Sequence, residues 1–432
     1  MFLIRQATLE DLPTLLKLAK MVHFLNLPAD RDIIATKINR SRLSFAERQD
    51  DARHRQFMFV LEDSETGNVI GTSAAISCIS WKGWPHVFLE VKKRHFYSND
   101  LQQGQSHVTL EFGTDESGPS EVGGLILAPG YRGHKEKLGS LLSLIRFHFI
   151  GLHKKWFAPR ILAELMGPVT PDSRTLLWEY LGRRFINLSY QEADLFCQHS
   201  KEFMTNLWPR GEIFASILPP DARALIGKVG EETLAAKGML DRQHFHVTTH
   251  VDPFDGGPYL EADRDSIPMV RDTKEHKLLA FNKRESGVMA FVSHSSKEHG
   301  FRAVRTLCLM RAGGVEISKA AADTIHAREG EKVGVSLHAE HASRSVVKNS
   351  GPLAAKNVRT SESTLAGKPA SKPASKSASK SANKSANKSA SKAAGKSASK
   401  AAGKSAGKSS RKSAGKNIRT AVSKSRKNSR GK

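Results

Sequence analysis

The sequence predicts an α+β fold: a mixed sheet with flanking helices, then a small β-rich stretch and a basic tail. Three observations carry this. Strand-length apolar runs and helical patterns follow in the order strand, two helices, meander, strand, loop, helix, strand, helix, which layers helices on a sheet. Residues 120–150, SEVGGLILAPGYRGHKEKLGSLLSLIRFHFI, switch from strand to helical spacing across a basic loop. Charge is uneven as well. From Arg344 onward 24 Lys and Arg face one acid, Glu362, so this segment holds +23 of the net +24.

The elements follow in order. A short strand at 2–5 precedes Thr8, the expected N-cap of a helix over 9–21 with Asp11 near its start. Ile33, Ile34 and Ile38 share one face of a second helix within 29–47. Strands at 57–61 and 69–76 flank EDSETGN, a turn-rich hairpin signal. Strands at 87–91 and 108–112 are expected on either side of a polar loop. The central strand spans 122–127 and is broken by Pro129 and Gly130. A helix then runs from Lys137 to about His153 with Leu138, Leu141, Leu142, Ile145 and Phe149 on its apolar face. RILAEL at 160–165 is a further strand, and an amphipathic helix covers 174–185. Short helices are expected at 202–207, 221–226 and 231–240. Alternation returns in KLLAFN, GVMAFVS, AVRTLCLM and KVGVSL. The domain division is therefore 1–264 for the body, 265–343 for a small β-rich subdomain and 344–432 for the tail.

Composition excludes several classes. Cys78, Cys197 and Cys308 are far apart and form no CxxC pair, which argues against a disulfide framework or a zinc site and for a reducing, cytoplasmic setting. MFLIRQATLEDL lacks the pattern of a signal peptide, and no apolar run reaches membrane-span length. In the tail, thirteen lysines recur at every fourth position from Lys368 to Lys416, between Ser, Ala, Asn, Gly and Pro. Such a segment cannot drive burial and is expected to be disordered, neutralising phosphates of nucleic acid without reading bases.

The central strand, basic loop and helix start form an anion site. The first-turn N–H groups of a helix have no partner within it, and its dipole favours negative charge. A phosphate-bearing cofactor fits there, although an ordinary strand-to-helix connection has the same spacing.

The order of elements around this loop resembles the GNAT acyl-CoA transferase fold. NLPADRD (26–32), VLEDSETGNVIG (60–71), SE with the central strand (120–127), LLS…RF (141–147), AELMG (163–167), WEYLGRRF (178–185), EADLF (192–196), IGKVG (226–230) and HVDPFDGGPYLEA (250–262) are similar to segments of the arginine N-succinyltransferase family. The similarity extends over residues 1–340. The resemblance implies succinyl transfer from succinyl-CoA to the α-amine of L-arginine in arginine breakdown, with no metal. Leu125 matches a succinyl-CoA contact position. Leu127, Arg132, Gly133, Lys135, Lys137 and Gly139 are the further cofactor-binding candidates implied. The loop RGHKEKLG is slightly longer than the family pattern, with Lys and Glu where inner glycines stand. Gly230 occupies the place of the family's proton-donating histidine.

A group titrating near neutrality assists an attacking amine and a departing thiolate. Glu121, at the start of the central strand, and His199 are the candidates; His244, His246 and His250 read equally as packing or surface residues, and Asp255 as a turn former. Two alternatives stay open. One is a nucleic-acid-associated protein with a degenerate acyltransferase body; the other is an acyl-CoA transferase acting on ornithine or another amine.

Overall fold

In the computed structural model, residues 1–21, 27–170, 172, 174–283 and 286–337 are described. The tail from 344, with its expected disorder and nucleic-acid contact, lies outside them.

The chain opens with β1 (Phe2–Gln6), α1 (Leu12–Met21) and α2 (Arg31–Phe45). The expected helix at 9–21 starts as a 3-10 turn over Leu9–Asp11, where Asp11 accepts from the Thr8 N–H at 2.7 Å and also pairs with Arg5. Asp30 caps α2 through the N–H groups of Asp32 and Ile33. Next come β2 (Gln56–Asp63), β3 (Asn68–Ile76), β4 (His86–Ser98), β5 (Gln103–Asp115), β6 (Ser120–Leu127), α3 (Leu138–Leu152) and β7 (Arg160–Glu164). Short elements follow: α4 (Leu176–Tyr180), α5 (Tyr190–Cys197), α6 (Glu202–Leu207), β8 (Glu212–Phe214), α7 (Pro220–Arg223) and α8 (Leu234–Asp241). The last are β9 (His246–Val251), β10 (Pro258–Asp263), α9 (Pro268–Asp272), β11 (Lys274–Phe281), β12 (Val288–Ser296), β13 (Gly300–Arg311), β14 (Gly314–Ile317), α10 (Lys319–Ile325) and β15 (Lys332–Leu337).

Two expectations change. The strands placed at 87–91 and 108–112 are the roots of a ribbon paired from His86↔Asp115 to Ser98↔Gln103. KKRHFYS reads as loop because the outer half of β4 is largely exposed, and a ribbon wet on both faces has no apolar alternation to betray it. The helix expected over 174–185 stops at Tyr180 and resumes as a 3-10 turn over Gly182–Arg184, since Gly182 weakens helical continuation.

The sheet is mixed, in the order β12-β15-β11-β14-β13-β1-β2-β3-β6-β7-β10-β9-β4-β5-β8. Its parallel neighbours are β6–β7 and β11–β14. Because β12 also pairs with β13, strands β11 to β15 close into a ring, which leaves no exposed edge. Its interior packs Leu278, Val292, Val304, Cys308 and Val335 under Ala322 and Ile325 of α10. β13 also pairs with β1, Leu3 opposite Val304, so the expected β-rich stretch is continuous with the main sheet.

Helix α3 is buried along nearly its whole length. An all-round apolar helix belongs inside a core, and α3 lies between the sheet and the strand ring. Phe149 packs 4.5 Å from Phe57 and 5.3 Å from Phe301 between ring centres. His148 bridges the Ser293 hydroxyl at 2.7 Å and that of Ser336 at 2.5 Å. Burial pulls its pKa down to about 3, so a neutral ring donates to one serine and accepts from the other. The rigid seat of α3 fixes the loop at its N-terminus.

Candidate active site

β6 pairs with β3 along its length but with β7 only at Ser120↔Ile161 and Glu121↔Leu162. Beyond Glu121 the two strands part, and a cleft of about 710 Å³ opens between them. The β6 backbone facing β7 therefore has no strand partner from Val122 onward, a geometry that accepts an extended amide chain as an added strand. A bulge sharpens this. Register slips between Thr72 and Ala74, opposite Gly124 at φ +58°, a conformation suited to glycine. Leu125 and Leu127 line the cleft.

The basic loop closes one end. Arg132, Gly133, Lys137 and Gly139 all line the cleft, whereas Lys135 is exposed and outside the lining. Gly133 and Lys137 both take positive φ, +74° and +51°, which turns the chain sharply into α3. No acid occupies the first turn of α3, so its dipole faces the cleft uncompensated. Arg132 also lies 3.8 Å from Glu232. His134 packs edge-on against Phe2 at 5.2 Å instead of reaching outward.

A side chamber of about 520 Å³ adjoins the cleft, sharing Gly123, Gly124 and Glu164 with it. Glu121 lines this chamber and is 8% exposed. Burial, reinforced by the nearby Glu164 charge, pushes its carboxyl up to about 8, against the pull of Lys37, Lys201 and Arg146. Glu164 goes the other way: burial opposes ionisation, but the His86 ring at 2.7 Å and its charge hold the carboxyl below the usual range. Two neighbouring acids with opposed pKa values are the arrangement that separates a proton acceptor from a fixed charge. Trp81 and Trp84 stack at 5.9 Å on the chamber wall, with Lys37, Arg40 and Arg53 on other sides.

The other candidates are distributed as follows. His199 is exposed and lines the chamber rim. Asp255 is buried; its Oδ1 accepts from the Gly257 N–H at 2.7 Å, and burial raises its pKa well above the carboxylate range. His250 stacks on Phe88 at 3.8 Å. Cys197 is buried on the chamber wall with its thiol pushed up to about 11 by burial. Gly230 donates its N–H to Met166 O at 2.9 Å, and a Cβ there would stand 2.8 Å from Gly167 O. The backbone after β7 has closed over the position.

His86, Glu164, Trp81, Trp84 and Arg146 were missed by sequence reasoning. Glu164 and Arg146 carried a signal, within the AELMG and LLS…RF segments. Among the described residues no group of three or more His, Cys, Asp or Glu is placed to hold a metal, and no helix is long and apolar enough to cross a membrane.

Known proteins are similar to this chain in sequence and fold. A family profile described as "Arginine N-succinyltransferase beta subunit" matches residues 2–269. The arginine N-succinyltransferase of Yersinia pestis (strain Pestoides F) is 30% identical over 355 residues, covering 80% of this chain and all of that one. That of Salmonella arizonae is 29% identical over 337 residues, covering 77% of this chain and 96% of its own. The structure of arginine/ornithine succinyltransferase subunit AI from Pseudomonas aeruginosa superposes with a TM-score of 0.66 at 25% identity, covering 78% of this chain and 98% of that one. With the profile spanning more than half of its length and relatives matched end to end, this chain belongs to the arginine N-succinyltransferase family.

Proposed function

We propose that the protein transfers the succinyl group of succinyl-CoA to the α-amine of L-arginine by direct attack within one ternary complex. The observation that carries this is the meeting of cleft and chamber at Gly123, Gly124 and Glu164, where β6 leaves β7. Pantetheine amides pair with the free side of β6 near Leu125 and Leu127. The pyrophosphate rests on the α3 N-terminus with Arg132, Gly133, Lys137 and Gly139, and Lys135 adds charge at the rim. The parted strands and the bulge support a GNAT-like acyl-CoA transferase fold for 1–264, and the domain division with a β-rich subdomain from 265 belongs to this reading.

Arginine fits the chamber chemistry. Cations such as Lys37 suit its carboxylate, and the stacked indoles offer faces to a guanidinium. The amine nitrogen attacks the thioester carbonyl; a C–N bond forms, the C–S bond breaks, and Glu121 takes the amine proton. The leaving thiolate resembles a cysteine thiolate, with a pKa of about 8.5, and leaves without a side-chain donor at 230. Positioning supplies much of the rate.

Mass spectrometry of purified protein with succinyl-CoA and a panel of amines tests this. Succinylarginine with free CoA is expected. Ornithine as the preferred acceptor would redirect the acceptor reading, and no product with any amine would overturn succinyl transfer. The unpaired cysteines support a reducing, cytoplasmic setting. The tail's +23 charge supports non-specific nucleic-acid contact. Gel retardation that weakens steeply with salt and vanishes on deleting 344–432 is the expected result.

A further inference from the structure

Helix α3 carries a charge that the fold itself does not explain. Arg146 is 3% exposed, yet it lines the cleft. Its Nε donates to Ser143 O at 3.0 Å, one terminal nitrogen to Ser143 Oγ at 2.8 Å and the other to Gly123 O at 3.5 Å. These acceptors are neutral, and among the described residues no carboxylate is a hydrogen-bond partner of the guanidinium, while the Glu121 charge acts on it through space. A guanidinium has five N–H donors, so this set leaves donor capacity unused. Burial lowers its pKa to about 10, with the Glu121 charge opposing, which keeps it cationic at neutral pH.

A buried cation without an ion partner costs stability, and a leucine or methionine would serve packing better. The other strong cations lining the cleft, Arg132, Lys137 and Arg242, are exposed at its edge. Arg146 instead contacts Gly123, next to the bulge, and Gly123 belongs to both cavities. The acyl end of a thioester must lie at that junction for an amine in the chamber to reach it. Of the acids lining the cleft, burial and the Glu164 charge push Asp252 up to about 6, and burial raises Asp255 as well; Glu164 itself stays ionised, its carboxylate paired with the His86 ring at 2.7 Å.

We propose that Arg146 is the receptor for the distal carboxylate of a dicarboxylic acyl group, and so sets the preference for succinyl over neutral acyl thioesters. The inference rests on the CoA-binding reading above. Its guanidinium keeps unused N–H donors at the cleft lining, and a guanidinium fork takes a carboxylate through two bonds. A neutral acyl chain would leave those donors unfilled in a dry site, which is how a polar pocket rejects an analogue lacking its partner.

The test uses the full chain and two stable thioethers, S-(3-carboxypropyl)-CoA and S-butyl-CoA, with free CoA as reference, measured by calorimetry. The carboxylate-bearing thioether should bind about 10- to 100-fold tighter than the butyl one, the scale of charge-assisted hydrogen bonds at a buried site. Arg146→Gln should bring that ratio to within about threefold, and Arg146→Lys should keep part of it. Should Arg146→Gln fail to melt cooperatively, Ser143→Ala, which frees the guanidinium from its anchor, should lower the ratio in its place. CoA binding with no carboxylate preference, or a preference that persists in folded Arg146→Gln, would overturn the inference alone. Failure of all three ligands to bind would overturn the CoA reading and this inference with it.

Discussion

The cleft and the chamber meet at three residues yet are built in opposite ways. One wall and the closed end of the cleft are one continuous piece of chain, β6, the basic loop and α3, while β7 and α8 face it. The chamber draws on α2, β2, β3, the link before β4, the first half of β6, the last residue of β7 and the end of α5. A site made from one stretch has its geometry fixed by local rules, such as a strand, a turn and a helix dipole. A site made from seven has its geometry fixed only by the fold. That difference separates a surface that binds a long cofactor from a surface that does proton chemistry on a small amine.

The sharpest way to break the comparison is at Glu121, which lines the chamber and directly precedes the β6 residues that line the cleft. Glu121→Gln should lower kcat by about 10²- to 10⁴-fold, the range for losing a general base, with CoA affinity retained. The base acts ionised, so activity of the parent should climb as pH rises through about 8, and the variant should lose that climb. Stability runs the other way. A carboxyl whose pKa is raised on folding binds more protons in the native state, so stability falls between the unfolded value near 4.5 and about 8. Thermal melts of Glu121→Gln should lack that fall. An unchanged pH–rate profile in the variant would remove Glu121 from the chemistry.

Gly230 tests whether the cleft has room for the missing histidine. Its φ of −65° suits any residue, so only the contact matters. With a Cβ held 2.8 Å from Gly167 O and 3.0 Å from Met166 O, Gly230→Ala should cost about 1–3 kcal/mol, the scale of overpacking. Gly230→His should cost more and restore no activity. Urea melts and turnover measured together check this; a histidine variant that is stable and faster would mean that the backbone after β7 yields.

Legibility in the sequence follows the same division. Residues 120–150 announced the strand, the basic loop and the helix, because each change of period is local. The bulge at Gly124 was invisible, since it depends on register against β3. Leu125 and Leu127 came from family resemblance, as apolar residues on a strand otherwise read as core. Glu121 was visible by its place at the strand start, but its proximity to Glu164 was not: the two are 43 positions apart and meet through a parallel pair. His86 and Trp81 lie in a segment that looked like an irregular link. Arg146 was marked only as part of the LLS…RF segment; its burial and its contact with Gly123 depend on how α3 packs on β6. Four strands of the ring, β11, β12, β13 and β15, were legible by alternation, but the four-residue β14 and the closure were not, because so short a strand and the pairing order leave no trace in periodicity.

A smaller effect sharpens the cleft side. Arg132 is 46% exposed on its side chain, and its pairing with a phosphate is screened by solvent. Arg132→Ala should weaken CoA about fivefold to tenfold, one charge-assisted hydrogen bond at a wet site, and the loss should shrink with added salt. Lys135→Ala, lying outside the cleft lining, should change affinity by less than about twofold. Equal losses from the two would mean that bulk charge, not the placed loop, holds the pyrophosphate.

The smallest effect is expected at Cys197, and it decides between two chemistries. A ping-pong route needs a nucleophile that carries the succinyl group, and Cys197 is the thiol buried on the chamber wall. Cys78 also lines the chamber, but its thiol donates to Ser80 O at 3.1 Å, and burial raises its pKa. At Cys197 burial lifts the pKa to about 11, with Lys201 opposing and Asp194 adding to the rise. A thiol so placed is almost wholly protonated at neutral pH, and the protonated form is a poor nucleophile. Direct attack asks nothing of it. Cys197→Ser should therefore keep kcat within about threefold, because neither positioning nor proton transfer involves this atom. Intact-protein mass spectrometry during turnover should show no mass gain of a succinyl group. A trapped thioester on the parent that disappears in Cys197→Ser, together with loss of turnover, would move the acyl group from the cleft to the chamber wall and make this a two-step enzyme.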